Sequence, residues 1–235
     1  MQLPTSLLSF GLCLFSSLSP AQPATNTFSS GVDAFMKAHV VEGRVDYGQI
    51  KRAPNELDVL YKRLGLVNLT GASDNEKKAF YINAYNVTVI HQVVQAFPLK
   101  SPLDKAGFFD QLTHRIAGQE MTLNQLEKEK LLNAFGDARV HFAVVCAAVS
   151  CPPLANFAYT PDKLDAQLDE RTKRSLNNPT FIRVSRGQKK VQLSKIFDWY
   201  KADFAKGGQS VLAYINRFRQ EQIPADFATG FYEYD

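Results

Sequence analysis

Hydrophobic residues recur at helical spacing in several stretches of the chain, and these stretches predict most of its secondary structure. Residues 28–40 predict a short first helix, and residues 54–65 predict a second one. Ser73 and Glu76 have the spacing of a capping box, in which a Glu follows the cap residue by three positions. This box opens the longest apolar segment, residues 78–97, which predicts a largely buried helix.

The second half of the chain alternates shorter helical and extended patterns. Residues 113–122 predict a small hairpin, and a second capping box at Thr122 and Gln125 opens a helix that ends near residue 135. Residues 139–146 are a short apolar run rich in valine, which predicts a buried strand. Beyond it we expect a helix over 160–176, a hairpin over 180–193, and closing helices over 196–204 and 210–220. These elements predict an α+β fold: a mostly helical single domain around a small β-sheet.

The amino-terminal segment has the pattern of a secretory signal peptide. Residues 1–32 contain no charged side chain, and the apolar run at residues 7–15 is too short for a membrane span of roughly 20 residues. Small residues follow it, ending at Ala21 and again at Ala24. We expect a signal peptide over residues 1–21, a domain over 22–235, and an exported protein, periplasmic or secreted, without a transmembrane helix in the mature chain. An uncleaved membrane anchor is the alternative, and Ala24 is the second choice for the cut.

The composition excludes several classes of protein. With 235 residues, 45% of them hydrophobic, the chain can bury a core and is not a disordered tail. A formal charge of +4 is too weak to indicate a nucleic-acid partner. The charge is uneven, however, because residues 171–197 carry eight basic side chains and no acidic one. The hairpin cations in this stretch predict either contact with an anionic envelope component or an ordinary solvated surface: Arg183, Arg186, Lys189 and Lys190.

A histidine and a cysteine near the end of the predicted strand suggest a thiol nucleophile and its base. Cys146 is the candidate nucleophile, and His141 is the nearest candidate base. Side chains alternate along a strand, so these two meet only if the strand ends or bulges before Cys146. Otherwise His91 or His114 must supply the base from another part of the fold.

The two cysteines outside the leader can also have a purely structural role. Cys146 and Cys151 can form a disulfide in an exported chain, and a bridge would remove both thiols from nucleophilic chemistry. A buried cysteine can also simply pack. Two cysteines at this spacing, without a second close pair, do not predict a metal site, and no motif indicates a cofactor.

Two asparagines on the long apolar helix add a candidate pocket. Asn83 and Asn86 are three residues apart and therefore share a helix face. Buried amides need hydrogen-bond partners, so they either line a polar pocket, together with Ser150 and Cys151, or bond the backbone of a neighbouring segment.

The motifs that contain these residues also carry a family resemblance. They are Tyr81-Ile82-Asn83-Ala84-Tyr85-Asn86, the segment from Asp137 through His141 and Cys146 to Pro153, and Leu193-Ser194-Lys195-Ile196-Phe197-Asp198-Trp199-Tyr200. In this order they resemble the family called domain of unknown function 547, best over residues 74–204. The family has no established activity, so the resemblance implies membership and no function. This chain has Lys128 after Glu127, where the family usually has a histidine.

A helix followed by a histidine-bearing strand is also loosely similar to the papain and transglutaminase group of thiol enzymes. In that group the nucleophilic cysteine begins the helix, whereas this helix has Asn83. The leading hypothesis is an exported thiol-dependent hydrolase or transferase relative that uses Cys146 and His141. The alternative is a non-catalytic envelope binding module with a Cys146–Cys151 disulfide.

Overall fold

We describe residues 24–234 of the chain from a computed structural model. The predicted signal peptide and its cut after Ala21 lie outside these residues. The first half is a helical assembly with a two-stranded β-ribbon between its first two helices. Its elements are α1 Ala24–His39, β1 Val40–Val41, β2 Arg44–Val45, α2 Tyr47–Arg52, α3 Asn55–Leu64 and α4 Asp74–Ala96.

The helix α4 is the centre of this half, and its start is fixed as its sequence predicts. The Ser73 side chain accepts a hydrogen bond from the Glu76 backbone N–H, and the Glu76 carboxylate accepts one from the Ser73 backbone. From Phe80 onward most side chains of α4 are buried, so the helix is surrounded by the rest of the domain.

The second half contains short helices and two further small sheets. Its elements are β3 Thr113–Ile116, β4 Gln119–Thr122, α5 Leu123–Gln125, α6 Asn133–Phe135, α7 Leu164–Leu176, β5 Ile182–Ser185, β6 Lys190–Leu193, α8 Ile196–Trp199, α9 Lys201–Phe204, α10 Val211–Asn216 and β7 Ala228–Phe231. β3 and β4 form the predicted hairpin, and a π-helical segment, Leu126–Leu132, continues the helix between α5 and α6. In the last sheet β6 pairs with β5 in antiparallel and with β7 in parallel orientation. The α+β prediction is confirmed.

The prediction of a strand over residues 139–146 is wrong. Residues Ala138–Phe142 form a 3₁₀ helix, which the Asp137 side chain begins by accepting a hydrogen bond from the Arg139 N–H. Two hydrophobic clusters meet at this turn: Val140 belongs to the cluster around α4, and Phe142 belongs to the cluster around β5 and β6. The turn thus serves both cores, which an extended strand on one sheet would not do.

Spanning a bilayer takes a helix of about 20 mostly apolar residues. Among residues 24–234, no helix is long and apolar enough to cross a membrane.

Candidate active site

A cavity of about 600 Å³ opens where the turn after Phe142 meets α4, the π-helical segment and the carboxyl-terminal segment. Its volume is within the range of small-molecule sites. Its lining includes side chains with sulfur, imidazole, carboxylate or phenol groups, among them Tyr85, Glu127, His141, Cys146, Cys151, Tyr200 and Tyr234. We call it the disulfide cavity.

The two cysteines at its wall are bonded to each other, with an S–S distance of 1.98 Å. The Cys146 backbone N–H donates to the Cys151 sulfur at 3.0 Å. The Tyr234 hydroxyl lies 3.1 Å from the Cys146 sulfur and 3.3 Å from the Cys151 sulfur, and it is the donor because neither sulfur carries a proton. Among residues 24–234 both cysteines are therefore bridged and neither is a free thiol, so only a reduced form could use Cys146 as predicted.

His141 is held at the same cavity by a carboxylate. Its Nε2 lies 2.8 Å from Oδ2 of Asp203, and its ring is 4.2 Å from the ring of Tyr200. The histidine side chain is 2% exposed, whereas that of Asp203 is 39% exposed. If Nε2 carries the proton and donates to Asp203, Nδ1 is left as the basic nitrogen. This is the arrangement of an oriented general base.

Glu127 is the third chemical group of the cavity, and the π-helical segment places it there. Its Oε1 accepts a hydrogen bond from the Tyr200 hydroxyl at 3.0 Å, and its Oε2 accepts one from Tyr85 at 3.4 Å. π-helical turns are rare and frequently occur at functional sites. A buried carboxylate held by two phenols can accept a hydrogen bond from a bound molecule.

The three tyrosines of the cavity are hydrogen-bond donors under ordinary conditions. Burial raises the pKa of Tyr85, Tyr200 and Tyr234 above that of an exposed phenol, and the nearby Glu127 charge raises all three further. They stay protonated at neutral pH, so the cavity offers neutral phenols beside the carboxylate and the disulfide.

The asparagines of α4 do not line this cavity. Asn83 bonds both backbone groups of Tyr159, donating to its carbonyl at 2.8 Å and accepting from its N–H at 2.9 Å. Asn86 donates to the Ala143 carbonyl at 2.9 Å and accepts from the Val145 N–H at 3.0 Å. Both amide side chains are therefore used in bonds to the backbone, which is one of the two roles that their sequence pattern leaves open.

Ser150 is half-buried in the loop between the two cysteines and is not among the residues that line the disulfide cavity. Cys151 is among them. Ala147 begins this loop with a φ of 57°, a conformation that costs an alanine about 1 kcal/mol or more.

The other candidate bases lie in a separate cluster. The Tyr61 hydroxyl is hydrogen-bonded to His114 Nδ1 at 2.7 Å, and the His91 ring stacks on Tyr61 at 3.8 Å. Of the four histidines, all of which the structure describes, His141 alone lines the disulfide cavity.

Two of the four cations of the predicted basic surface are paired with acidic side chains that come from later in the chain. Arg186 lies 2.6 Å from Glu221, and Lys189 lies 3.3 Å from Asp226. Arg183 stacks over the Tyr232 ring at 3.8 Å, while Lys190 is exposed on β6. The hairpin is therefore less positive than residues 171–197 predict, because its counter-charges lie outside that window.

A metal site needs several ligating side chains that meet at one point. In the part of the chain that the structure describes, no group of three or more His, Cys, Asp or Glu side chains is arranged to hold a metal ion.

Sequence reasoning missed three residues of the site. Asp203 and Tyr234 lie far along the chain from His141 and Cys146, and no local pattern connects them. Glu127 carries one signal in the sequence, because it directly precedes Lys128, where the family usually has a histidine.

The fold and the site define a mixed α+β protein with a histidine, a carboxylate and a disulfide around one cavity. Residues 69–176 match the family described as Protein of unknown function, DUF547, and the chain therefore carries a DUF547 domain. The match includes Glu127, His141 and both cysteines, and it ends before Asp203 and Tyr234. No curated protein and no solved structure matches the chain.

Proposed function

We propose that the protein is an exported, thiol-dependent hydrolase or transferase that works at the disulfide cavity when its bridge is reduced. The observation that carries this proposal is that one cavity brings together the Cys146 sulfur and an imidazole, His141, that a carboxylate orients. A disulfide used only for stability needs no oriented base at the same cavity. The uncharged leader and the disulfide both support export.

The bridge must first be opened by a dithiol. The dithiol gives two electrons and two protons, becomes a disulfide itself, and leaves Cys146 and Cys151 as thiols. His141 then accepts the Cys146 proton on Nδ1, and the thiolate is the nucleophile.

Acyl transfer is the reaction that these groups can carry out. The Cys146 sulfur adds to the carbonyl carbon of an ester or amide, and the Tyr234 hydroxyl is placed to donate to the sulfur or to the oxyanion. The intermediate collapses to a thioester, and the leaving group takes the proton from His141. Water, or an acceptor amine or alcohol, then releases the acyl group and restores the thiol.

Alkylation separates the two cysteines without knowledge of the natural substrate. Cys151→Ser leaves Cys146 unbridged, and we expect iodoacetamide at pH 7 to modify it at least about tenfold faster than a free cysteine. Cys146→Ser is the matched control, in which Cys151 should react at an ordinary rate. Peptide mass spectrometry assigns the modified residue. An ordinary rate at Cys146 in a folded Cys151→Ser protein would contradict the proposal.

A chromogenic ester tests the acyl step itself. With p-nitrophenyl acetate, Cys151→Ser should release a burst of about one equivalent of nitrophenol as the thioester forms. Cys146→Ser should show no burst. A burst that persists in Cys146→Ser, or one that is missing from both variants, would rule out Cys146 as the acceptor.

A non-catalytic binding module is the second candidate, and the intact Cys146–Cys151 bond favours it. In that case the disulfide would lock the cavity wall, and reduction would weaken binding rather than start chemistry. The ion pairs of Arg186 and Lys189 argue against the hairpin as its main contact with an anionic envelope component. Neutralising Lys189 and Lys190 should then leave binding to anionic vesicles unchanged.

A further inference from the structure

A second cavity, of about 830 Å³, lies on the other side of Asp203. We call it the basic cavity, because five cationic side chains line it against three acidic ones. The cations are Lys78, Arg139, Lys173, Lys206 and Arg217, and the acids are Asp137, Asp169 and Asp203.

Most of these charges are already paired within the protein. Arg139 lies 3.0 Å from Asp137 and 2.6 Å from Asp169, and Lys78 also lies 3.0 Å from Asp137. Asp203 is bonded to His141 of the disulfide cavity. The acidic side chains of the basic cavity therefore have strong partners of their own.

Two exposed cations have no such partner. Among residues 24–234, no carboxylate lies within 4.0 Å of Lys206 or Arg217. The Lys206 ammonium has only a long contact, 3.5 Å, to the Gly136 carbonyl. The guanidinium of Arg217 lies near the Tyr214 and Phe218 rings, at 5.9 and 5.6 Å from their centres. These two cations are available to an anion that enters the cavity.

A buried hydroxyl without a partner lies in the wall of the same cavity. Tyr214 is 5% exposed, and its hydroxyl has no hydrogen-bond partner in the part of the chain that the structure describes. Burial raises the pKa of this phenol, and the Asp137 charge raises it further, so the hydroxyl is a donor at neutral pH. Leaving such a donor unpaired is unfavourable, and an acceptor atom of a ligand that reaches it would remove that penalty.

The walls also present aromatic surface. Phe135 and Phe218 are half-buried at the basic cavity, and the Phe218 ring packs against the Tyr214 ring. A bare inorganic ion would contact the cations but leave this aromatic surface without a partner. The cavity is large enough for an organic molecule.

We propose that the basic cavity binds a small organic anion. Lys206 and Arg217 take its carboxylate or phosphate group, the Tyr214 hydroxyl donates to it, and its aromatic or alkyl part lies against Phe135 and Phe218. Asp203 lines this cavity and is bonded to His141, which lines the disulfide cavity, so this contact connects the two cavities. The inference concerns binding alone and does not depend on the proposed thiol chemistry.

Titration of the ¹⁵N-labelled full chain with phenylacetate, phenyl phosphate, benzyl alcohol and inorganic phosphate tests this proposal. Phenylacetate or phenyl phosphate should give saturable shifts at the Gly136, Gly207 and Gly208 amides, with a dissociation constant of about 1 mM for a ligand of this size. Benzyl alcohol keeps the ring without the charge, and we expect it to bind at least about tenfold more weakly.

Variants assign the contacts. Arg217→Gln and Lys206→Gln should each weaken binding about tenfold, and both side chains are exposed, so the fold should be unaffected. Tyr214→Phe should weaken it about threefold or more. Lys189→Gln, a change on the exposed hairpin, should leave binding unchanged.

Three results would overturn the proposal. One is the absence of saturable shifts with both organic anions. Another is equal binding of phenylacetate and benzyl alcohol, which would remove the anion from the argument. The third is binding of inorganic phosphate as tight as that of phenyl phosphate, which would leave the aromatic walls without a role.

Discussion

Two regions of this molecule bring histidine and tyrosine together, and only the first lines the disulfide cavity. In the first, His141 packs against Tyr200 at the disulfide cavity and bonds Asp203. In the second, His91 and His114 pack around Tyr61, away from that cavity. We call the second region the closed histidine cluster.

The difference shows how surroundings decide what the same residue types can do. Burial lowers the pKa of His114 to about 4 and also lowers that of His91, so both rings are neutral packing groups at neutral pH. His141 has a carboxylate on one nitrogen, as His91 has in Asp58, but His141 also lines the cavity that Cys146 lines. A histidine becomes a candidate base through an orienting partner and an open cavity, and residue type alone does not distinguish the two regions.

The largest effect on stability should come from Asn86, whose side-chain amide holds the turn beside the disulfide cavity. Asn86→Ala removes the bonds to the Ala143 carbonyl and the Val145 N–H, and leaves both backbone groups buried. We expect a loss of about 2–4 kcal/mol in the free energy of unfolding, measured by urea denaturation. Asn75→Ala, at an exposed asparagine of the same helix, is the matched control. An equal loss for both variants would contradict the two-bond account.

The closed histidine cluster should make the free energy of unfolding depend on pH. The folded pKa of His114, about 4, is below its ordinary value of 6.5, so between these values the unfolded chain binds more protons than the folded one. Stability should therefore fall by about 1–3 kcal/mol as the pH drops from 6.5 to 4.

Urea denaturation at several pH values, for wild type and His114→Asn, isolates this contribution. Asparagine can still accept the Tyr61 hydrogen bond but does not titrate. The difference between the two curves should shrink toward low pH. Parallel curves would show that His114 does not contribute.

The orientation of His141 should be sensitive to Asp203. Asp203→Asn keeps the shape but replaces one carboxylate oxygen by an amide, which no longer favours the Nε2–H tautomer. In the Cys151→Ser background, we expect alkylation of Cys146 to slow about tenfold, with a stability change below about 1 kcal/mol. The corresponding change at Asp58, which lies 3.4 Å from His91 in the closed cluster, should not affect the rate.

The smallest expected effect is at the sulfur. Tyr234→Phe removes the hydroxyl that donates to both cysteine sulfurs. In the Cys151→Ser background, alkylation of Cys146 at pH 7 should slow by about two- to fivefold, because one hydrogen bond to the thiolate is lost. Tyr61→Phe is the control from the closed cluster. A faster reaction in Tyr234→Phe would mean that the hydroxyl shields the sulfur instead.

The regular elements were predictable from the sequence because their signals are local. The capping box at Ser73, the apolar run of α4 and the hairpins all depend on neighbouring residues, and the structure confirms them. The prediction of a strand over residues 139–146 failed because the apolar pattern of this segment has another cause. That segment is buried by two cores at once, and the Asn86 side chain supplies hydrogen bonds that a partner strand would have given.

The site was predictable only in its sequence-adjacent part. His141, Cys146 and Cys151 lie close together in the chain, and their motif marks them. Asp203 and Tyr234 reach the same region only through the packing of the carboxyl-terminal helices and the last segment. The parallel strand β7 was missed for the same reason, because its pairing with β6 is set by tertiary structure.

The most direct test of the thiol proposal is the pH profile of Cys146 alkylation in the Cys151→Ser background, with and without His141→Gln. With His141 present, the rate should be raised near pH 7 and level off below the ordinary cysteine pKa of about 8.5. His141→Gln should shift the profile to that of an unassisted thiol, whereas His114→Asn should leave it unchanged. Identical profiles with and without His141, in folded proteins, would contradict the claim that the disulfide cavity holds a thiol and its base.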